Sequence, residues 1–429
     1  MKSKEKNMEK QKLISFYKKL IKELHIDFSL LLLRPKYIPS EDAYFKGDVD
    51  FLIKKEEFES IFKILYEKCK NEGINFIFIQ KFTNKKKFHF FIKDQQSTSI
   101  TIEFWTAIEF TKNNKLHIFE AEEIFESIEN KLFSKSEILV LIYITHLYHK
   151  QKDVFSQENQ YRFKEFFIQL KKNNSTEGEV VFQLLNKIKN EEITLLKANK
   201  QAIKLLSKAK IKYKKVVFPV FHLYRKALWG KIFHLHNTIP VVGPDGVGKG
   251  IVSEKSLTKL KNRTSFRFKD LYRMRIFYKH IILRFFNPKD LKKNKLDEKL
   301  GYYIFIISSL SIYVLPIYLR GKKVLLDRYY LDYYATPIRY LKKNQKPKKL
   351  KGYNSILYLT PIPKKMIFMG CKNQSLIERK NELSQTAVDY LQNLYIEFIL
   401  KKKIPETLFI STENKVEISA KTMQEFCEK

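Results

Sequence analysis

Residues 239–257 read IPVVGPDGVGKGIVSEKSL. A short apolar run, a turn carrying Gly243, Gly246 and Gly248, and a segment of helical spacing follow one another without a break. That order leaves a strand, a tight turn and a helix as the local fold. Glycine admits backbone angles closed to other residues, so successive N–H groups can curl around one anion. The helix that follows turns its positive end toward the same point. The rest of the chain continues in kind. Strand-like segments at 238–242, 322–326, 354–359 and 407–410 alternate with helical ones at 248–260, 267–286, 297–318, 375–400 and 414–428. Alternation of this type predicts an α/β domain with a parallel sheet between helices.

The turn fits the phosphate-loop pattern G-x-x-x-x-G-K-[ST] at Gly243, Gly248 and Lys249, and departs from it at Gly250. In that pattern the backbone cradles phosphates, the lysine reaches the β- and γ-phosphates, and the final hydroxyl goes to Mg²⁺. Gly250 has no hydroxyl. Ser253 lies nearly a turn further along the helix, badly placed to substitute. Nucleotide binding is therefore the safer expectation, and transfer of a phosphate the riskier one.

Three stretches together carry a family resemblance. GPDGVGKG at 243–250 resembles the loop of thymidylate kinase-like proteins. RGKKVLLDRYYLDYYATPIRY at 320–340 is similar to their hydrophobic strand ending in Asp-Arg-Tyr. LIERKNELSQTAVDYLQNLY at 376–395 is similar to their arginine-bearing lid and the helix after it. The resemblance spans nearly all of 238–429. It implies ATP and Mg²⁺ as cofactors, with Gly243, Asp245, Gly246, Val247, Gly248, Lys249 and Gly250 forming the nucleotide loop. Asp245 would point toward the acceptor. Asp327 would hold magnesium through water or orient the acceptor, Arg328 would grip an acceptor phosphate, and Arg379 would neutralise charge on the transferring group. For Asp327 and Arg328 the competing reading is a helix cap with a surface ion pair. Asp332, Arg339 and Tyr340 are weaker candidates on the helix after Asp-Arg-Tyr. Arg273, Arg275 and Lys279 fit an acceptor phosphate or a solvated basic face equally well. Asp297 and Glu298 are explained by the helix dipole alone.

The N-terminal part has a different pattern. FSLLLL at 28–33 and DVDFLI at 48–53 read as strands, then comes a helix at 55–71 and three further strand-like runs, INFIFIQ, KFHFFIK and TSITIEF. Asp48 and Asp50, two apart on a strand, face the same side. Glu103 on a later strand supplies a third carboxylate, the set used to clamp two metal ions. This ordering resembles the nucleotidyltransferase superfamily, whose fingerprint is Gly-Ser, then D-x-D, then a third acidic residue. Here Lys46-Gly47 precedes Asp48, so the serine is missing. Arg34 sits where related proteins carry a basic residue. Residues 135–149, 160–171, 178–189 and 193–208 have helical spacing with lysines on their outer faces. The expected division is thus an α+β nucleotidyltransferase-like domain over 1–118, a helical connector over 119–237 and the P-loop domain over 238–429. His146 and His149 share a helix face and read as packed histidines rather than metal ligands, since no carboxylate motif accompanies them.

The formal net charge is +36, which favours polyanionic partners. Most of it is lysine spread along the whole chain beside many Ile, Asn, Phe and Tyr, and a genome rich in A and T gives the same bias. The expected partner is a small phosphorylated acceptor, with peripheral membrane contact open and nucleic acid less favoured. Cys69, Cys371 and Cys427 have no paired spacing, so neither a zinc motif nor a disulfide framework is expected, and a reducing cytoplasm is. The N-terminus is charged and lacks the apolar core of a signal peptide. Residues 302–319 approach the length of a membrane span. Three serines and Pro316 favour a buried helix.

Three functions follow. The first is γ-phosphoryl transfer from ATP to a small sugar- or nucleotide-type phosphorylated acceptor. Kinase-like proteins fused to nucleotidyltransferase-like domains often accompany surface-polysaccharide genes, which places the reaction in that metabolism by resemblance. The second is nucleotidyl transfer at the D-x-D strand. The third is a non-catalytic nucleotide- or membrane-surface-binding protein with two decayed sites.

Overall fold

A computed structural model describes residues 2–35, 38, 40–80, 84–93, 98–112, 115–172, 175–217, 234–235, 238–258, 260, 263–267, 323–327, 329, 362–379 and 384–428. The chain begins with helix α1 (Lys2–Asp27), whose Leu13, Phe16, Leu20 and Leu24 recur at helical spacing and are buried. The strands β1 (Leu31–Leu32) and β2 (Asp48–Leu52) come next, then α2 (Phe58–Glu72), β3 (Asn75–Ile79), β4 (Lys85–Phe91) and β5 (Ile100–Trp105). A hairpin of β6 (Ala107–Lys112) and β7 (Lys115–Glu120) leads to five helices: α3 (Ala121–Glu129), α4 (Lys135–Lys150), α5 (Gln157–Lys171), α6 (Thr176–Lys189) and α7 (Leu195–Lys208). After β8 (Lys214–Val217), the C-terminal half runs β9 (His234–Leu235), β10 (Thr238–Val242), α8 (Lys249–Leu257), β11 (Arg263–Arg267), β12 (Lys323–Asp327), β13 (Ile362–Pro363) and β14 (Lys365–Gly370). It ends with α9 (Asn373–Arg379), α10 (Gln385–Lys401), β15 (Glu406–Ser411) and α11 (Val416–Glu428).

Two compact units result. The first comprises Met1–Ile64, Phe82–His89 and Thr98–Leu228. In it β2 pairs in parallel with β5, setting Asp48 opposite Thr101 and Asp50 opposite Glu103. β1 pairs antiparallel with β2 on one side, and β4 neighbours β5 on the other. Helices and strands share one core. Leu31, Leu52, Ile108 and Phe119 pack with Ile138, Leu141 and Ile144 of α4, and with Phe163, Val181 and Ala198 from the helices after it. α4 is apolar on nearly every face because it lies among the other helices. Ser134 caps it, with Glu137 returning the bond to the Ser134 N–H at 2.7 Å. The buried Glu137 also accepts from the Ser175 hydroxyl at 2.5 Å, so one carboxylate ties the starts of α4 and α6.

The second unit comprises Leu65–Lys81, Phe90–Ser97 and Trp229–Lys429. Its sheet has the order β3-β15-β14-β10-β12-β11. The five strands from β15 to β11 are parallel, and β3 is antiparallel at the edge. Val241, Ile367, Leu408 and Ile410 from the strands pack with Val252 of α8, Val388 of α10 and Met423 of α11. Phe76 of β3 stacks on Phe409 of β15 with ring centroids 4.3 Å apart. β10 lies in the middle. The chain leaves it for β11 and β12 on one side, then for β14 and β15 on the other. Such a reversal leaves a crevice at the carboxyl ends of the strands.

Several boundaries differ from the sequence expectation. β14, at 365–370, is the strand beside β10; the strand expected at 354–359 lies outside the described residues. The helix expected over 375–400 is two helices, α9 and α10. The strand expected at 28–33 is paired only at Leu31–Leu32. The sequence pattern does not predict α1, the β6–β7 hairpin or β11, because charged and threonine residues interrupt their apolar periodicity. Residues 302–319 lie outside the described residues. Among the described residues no helix is long and apolar enough to cross a membrane. All three cysteines are buried, and none forms a disulfide.

Candidate functional site

The loop 243–250 joins the central strand β10 to α8. β10 is buried at every position, which fixes the start of the loop against its two neighbouring strands. Gly243 has φ of 147°. A Cβ there would lie 2.3 Å from the Met369 carbonyl oxygen on β14, so no other residue fits. Gly246 and Gly248 also have positive φ, 88° and 91°. Between them Val247 is fully buried and anchors the loop to the core. Gly248 is the N-cap of α8, and no side chain caps the helix there. Its first N–H groups therefore open on the loop.

Lys249 lies back across this loop. It is only 6% exposed. Its ammonium donates to the Gly243 and Pro244 carbonyls at 2.6 and 2.7 Å, and Asp245 is 3.8 Å away. Curled backbone, helix start and ammonium thus meet at one point, an arrangement that suits the phosphates of a nucleotide. Asp327 ends β12, with Val241 of β10 and Arg267 of β11 as register partners. It is therefore the carboxylate at the carboxyl end of the strand next to the loop. Arg379, at the end of α9, donates to the Thr412 hydroxyl and carbonyl at 3.4 Å. Thr412 follows β15, two strands from β10, about 10 Å away at the usual strand spacing. Lys249, Asp327 and Arg379 thus share the carboxyl edge of the sheet. Arg328, Asp332, Arg339 and Tyr340 lie outside the described residues, as do Arg273, Arg275, Lys279, Asp297 and Glu298.

Around Gly250 an added Cβ would meet nothing within 4 Å. The space for a hydroxyl-bearing side chain is open although the residue has none. Ser253, one turn on, is buried, and its hydroxyl has no hydrogen-bond partner among the described residues. With no hydroxyl at 250, the carboxylates beside the loop are those of Asp245 and Asp327.

The first unit assembles the other predicted residues. Asp50 and Glu103 are buried side by side, 4% and 3% exposed, with Asp48 at the exposed start of β2. Each has a cationic partner. The Lys87 ammonium is 2.8 Å from Asp48 and 3.1 Å from Glu103. Lys85 lies 3.3 Å from Glu103. Arg34 pairs with Asp50, whose other oxygen accepts from the Trp105 indole N–H at 3.3 Å. Arg34 also donates to His146 Nε2 at 3.0 Å. Burial, then the charge of Arg34, lowers His146 to about 2, so this histidine stays neutral. His149 instead meets the Tyr213 hydroxyl at 2.8 Å and stacks on Phe110. Among the described residues no group of three His, Cys, Asp or Glu side chains is placed to hold a metal ion. The carboxylates of β2 and β5 do not fit the two-metal arrangement.

Burial, with a hydrogen bond to Asp48 and the charges of Asp48 and Asp50, pushes the Glu103 carboxyl up to about 7. Asp48 is raised by burial but more than compensated by hydrogen bonds with Lys87 and Glu103, and ends below its ordinary value. The folded unit thus holds a proton at Glu103 that the unfolded chain releases near 4.5. This contribution is full below about 4.5 and is lost as pH rises through about 7. Glu103→Gln should flatten the thermal-unfolding profile between about pH 5 and 8, removing a pH-dependent difference on the order of 1–3 kcal/mol. A slope equal to that of the wild type would contradict this placement of the proton.

Lys85 and Lys87 escaped the sequence reading. Their signal was partial: 85, 87 and 89 share one strand face opposite the fully buried Phe88, but Lys86 on the Phe88 face hides the alternation.

No family model matches the chain, and no curated protein matches it. Among solved structures it is similar to thymidylate kinase from Candida albicans at 18% identity and a TM-score of 0.33, over 45% of this chain and 91% of that one. It is also similar to deoxyadenosine kinase from M. mycoides, whose structure holds dATP, at 13% identity and a TM-score of 0.29, over 45% of this chain and 100% of that one.

Proposed function

We propose that the second unit binds ATP through the loop 243–250 and transfers its γ-phosphate to a small phosphorylated or sugar-containing acceptor. The observation that carries this reading is the Lys249 ammonium on the Gly243 and Pro244 carbonyls, at the mouth of a loop that only glycine can form. In the proposed reaction the loop amides and Lys249 hold the donor phosphates. Arg379 reaches in from the β15 side to neutralise charge on the transferring group. Asp327 faces the metal or the acceptor. Magnesium, if held beside Asp327, would supply positive charge to offset that developing on the transferring group. The protein's part is positioning and charge neutralisation. An acceptor phosphate would fall to Arg328, as the family resemblance implies, and a role in surface-polysaccharide metabolism rests on that resemblance alone. The test is ATP-dependent mass gain across sugars, sugar phosphates and nucleoside monophosphates. Gain on none of them, with a folded protein that binds ATP, would leave binding without transfer.

That second reading, a nucleotide-binding protein of low or no turnover, is favoured by Gly250. The open space around it makes the point testable. Gly250→Ser should fold normally and raise Mg²⁺-dependent ATP turnover by roughly tenfold, about 1.4 kcal/mol of added metal grip. Unchanged turnover in a folded variant would mean that the missing hydroxyl is not what limits the reaction.

A further inference from the structure

We infer that Lys87 and Lys85 hold the place of divalent cations among the carboxylates of the first unit, which therefore keeps a D-x-D strand but takes up no metal. Side chains on β4 alternate, so Lys85, Lys87 and His89 leave one face while Phe88 leaves the other for the core. The basic face meets β5 residue by residue. His89 Nδ1 is 2.9 Å from the Thr101 hydroxyl, Lys87 reaches Glu103, and Lys85 reaches Glu103 while lying 5.0 Å over the Trp105 ring. Lys87 bridges Asp48 and Glu103, the two carboxylates that a shared metal would join.

Charge decides the matter. Asp48, Asp50 and Glu103 carry at most three negative charges against three cations, Lys85, Lys87 and Arg34, so no excess negative charge remains to draw a divalent ion out of its water. Magnesium gives up that water reluctantly and asks for near-octahedral oxygen ligands. To enter, it would have to expel ammoniums whose side chains are only 20% and 23% exposed and that are tethered one strand away. Tethering keeps their effective concentration in the millimolar range or above, against a free ion of similar concentration. Arg34 is held in turn by His146. The cluster acts as an ion-paired seam joining β2, β4 and β5, and nucleotidyl transfer through two metals has no foothold in it.

The experiment titrates Mn²⁺ alone, without nucleotide, into the full chain and reads bound ion by electron paramagnetic resonance. Wild type is compared with the Asp48→Asn/Glu103→Gln double variant and with Lys85→Met/Lys87→Met. The expected result is no difference between wild type and Asp48→Asn/Glu103→Gln, and at least about tenfold tighter Mn²⁺ binding in Lys85→Met/Lys87→Met. Binding in the wild type that Asp48→Asn/Glu103→Gln removes would overturn the inference. So would a folded Lys85→Met/Lys87→Met protein that gains no Mn²⁺ affinity, since the lysines would then not be what excludes the metal. The wild-type comparison stands even if the lysine variant fails to fold.

Discussion

Lys249→Ala is expected to lower ATP turnover at least about a hundredfold, close to 3 kcal/mol of transition-state stabilisation. The ammonium is almost wholly buried and held by two backbone carbonyls of the loop, so it is pre-positioned and need not be ordered when substrate arrives. Alanine removes the only side-chain cation that the loop itself carries. The loss should fall on kcat as much as on KM, because charge on the transferring group is greatest in the transition state. Phosphate release from ATP checks this, with far-ultraviolet circular dichroism to verify folding. A folded Lys249→Ala protein that turns ATP over at the wild-type rate would remove the loop from the account.

The second large effect is on stability. Gly243→Ala puts a Cβ 2.3 Å from the Met369 carbonyl, at a φ of 147° that alanine rarely adopts. The obstacle is backbone of a central strand, so β10 and β14 must part or the loop must refold. A loss of about 2–4 kcal/mol is expected, seen as a lower urea midpoint, and nucleotide binding should go with it. Gly250→Ala is the matched control. It has room for the methyl group, and alanine favours a helix over glycine by about 1 kcal/mol, so it should be neutral or slightly stabilising. Equal losses at both positions would mean that the Met369 contact is not what demands glycine at 243.

How much of this was legible in the sequence differs between the two units. The loop was legible because its chemistry is local: Gly243, Gly246, Gly248 and Lys249 are contiguous, and their spacing alone prescribes a strand, a turn and a helix. Its partner on β14 was not. Met369 matters through a backbone carbonyl, which no residue type announces, and KMIFMG follows prolines and lysines that read as a turn. Asp327 was placed by its position at a strand end, and β12 ends there. In the first unit, Asp48, Asp50 and Glu103 do converge, since D-x-D on a strand and an acid on a later strand are a periodicity argument. Their state was hidden. It depends on Lys85 and Lys87, whose alternation reads as ordinary lysine-rich composition until β4 is laid beside β5. α1 was missed for a related reason. Lysines and glutamates dominate its sequence, and five buried residues, Leu13, Ile14, Phe16, Leu20 and Leu24, carry the fold.

The proposed function seats a nucleoside triphosphate on the loop between β10 and α8. Hydrogen–deuterium exchange with and without ATP reads this amide by amide. Protection confined to residues 243–251 and the start of α8 is expected in the wild type, with its loss in Lys249→Ala. Unchanged exchange over the loop at saturating ATP, or protection appearing instead at 46–53 on β2, would contradict it.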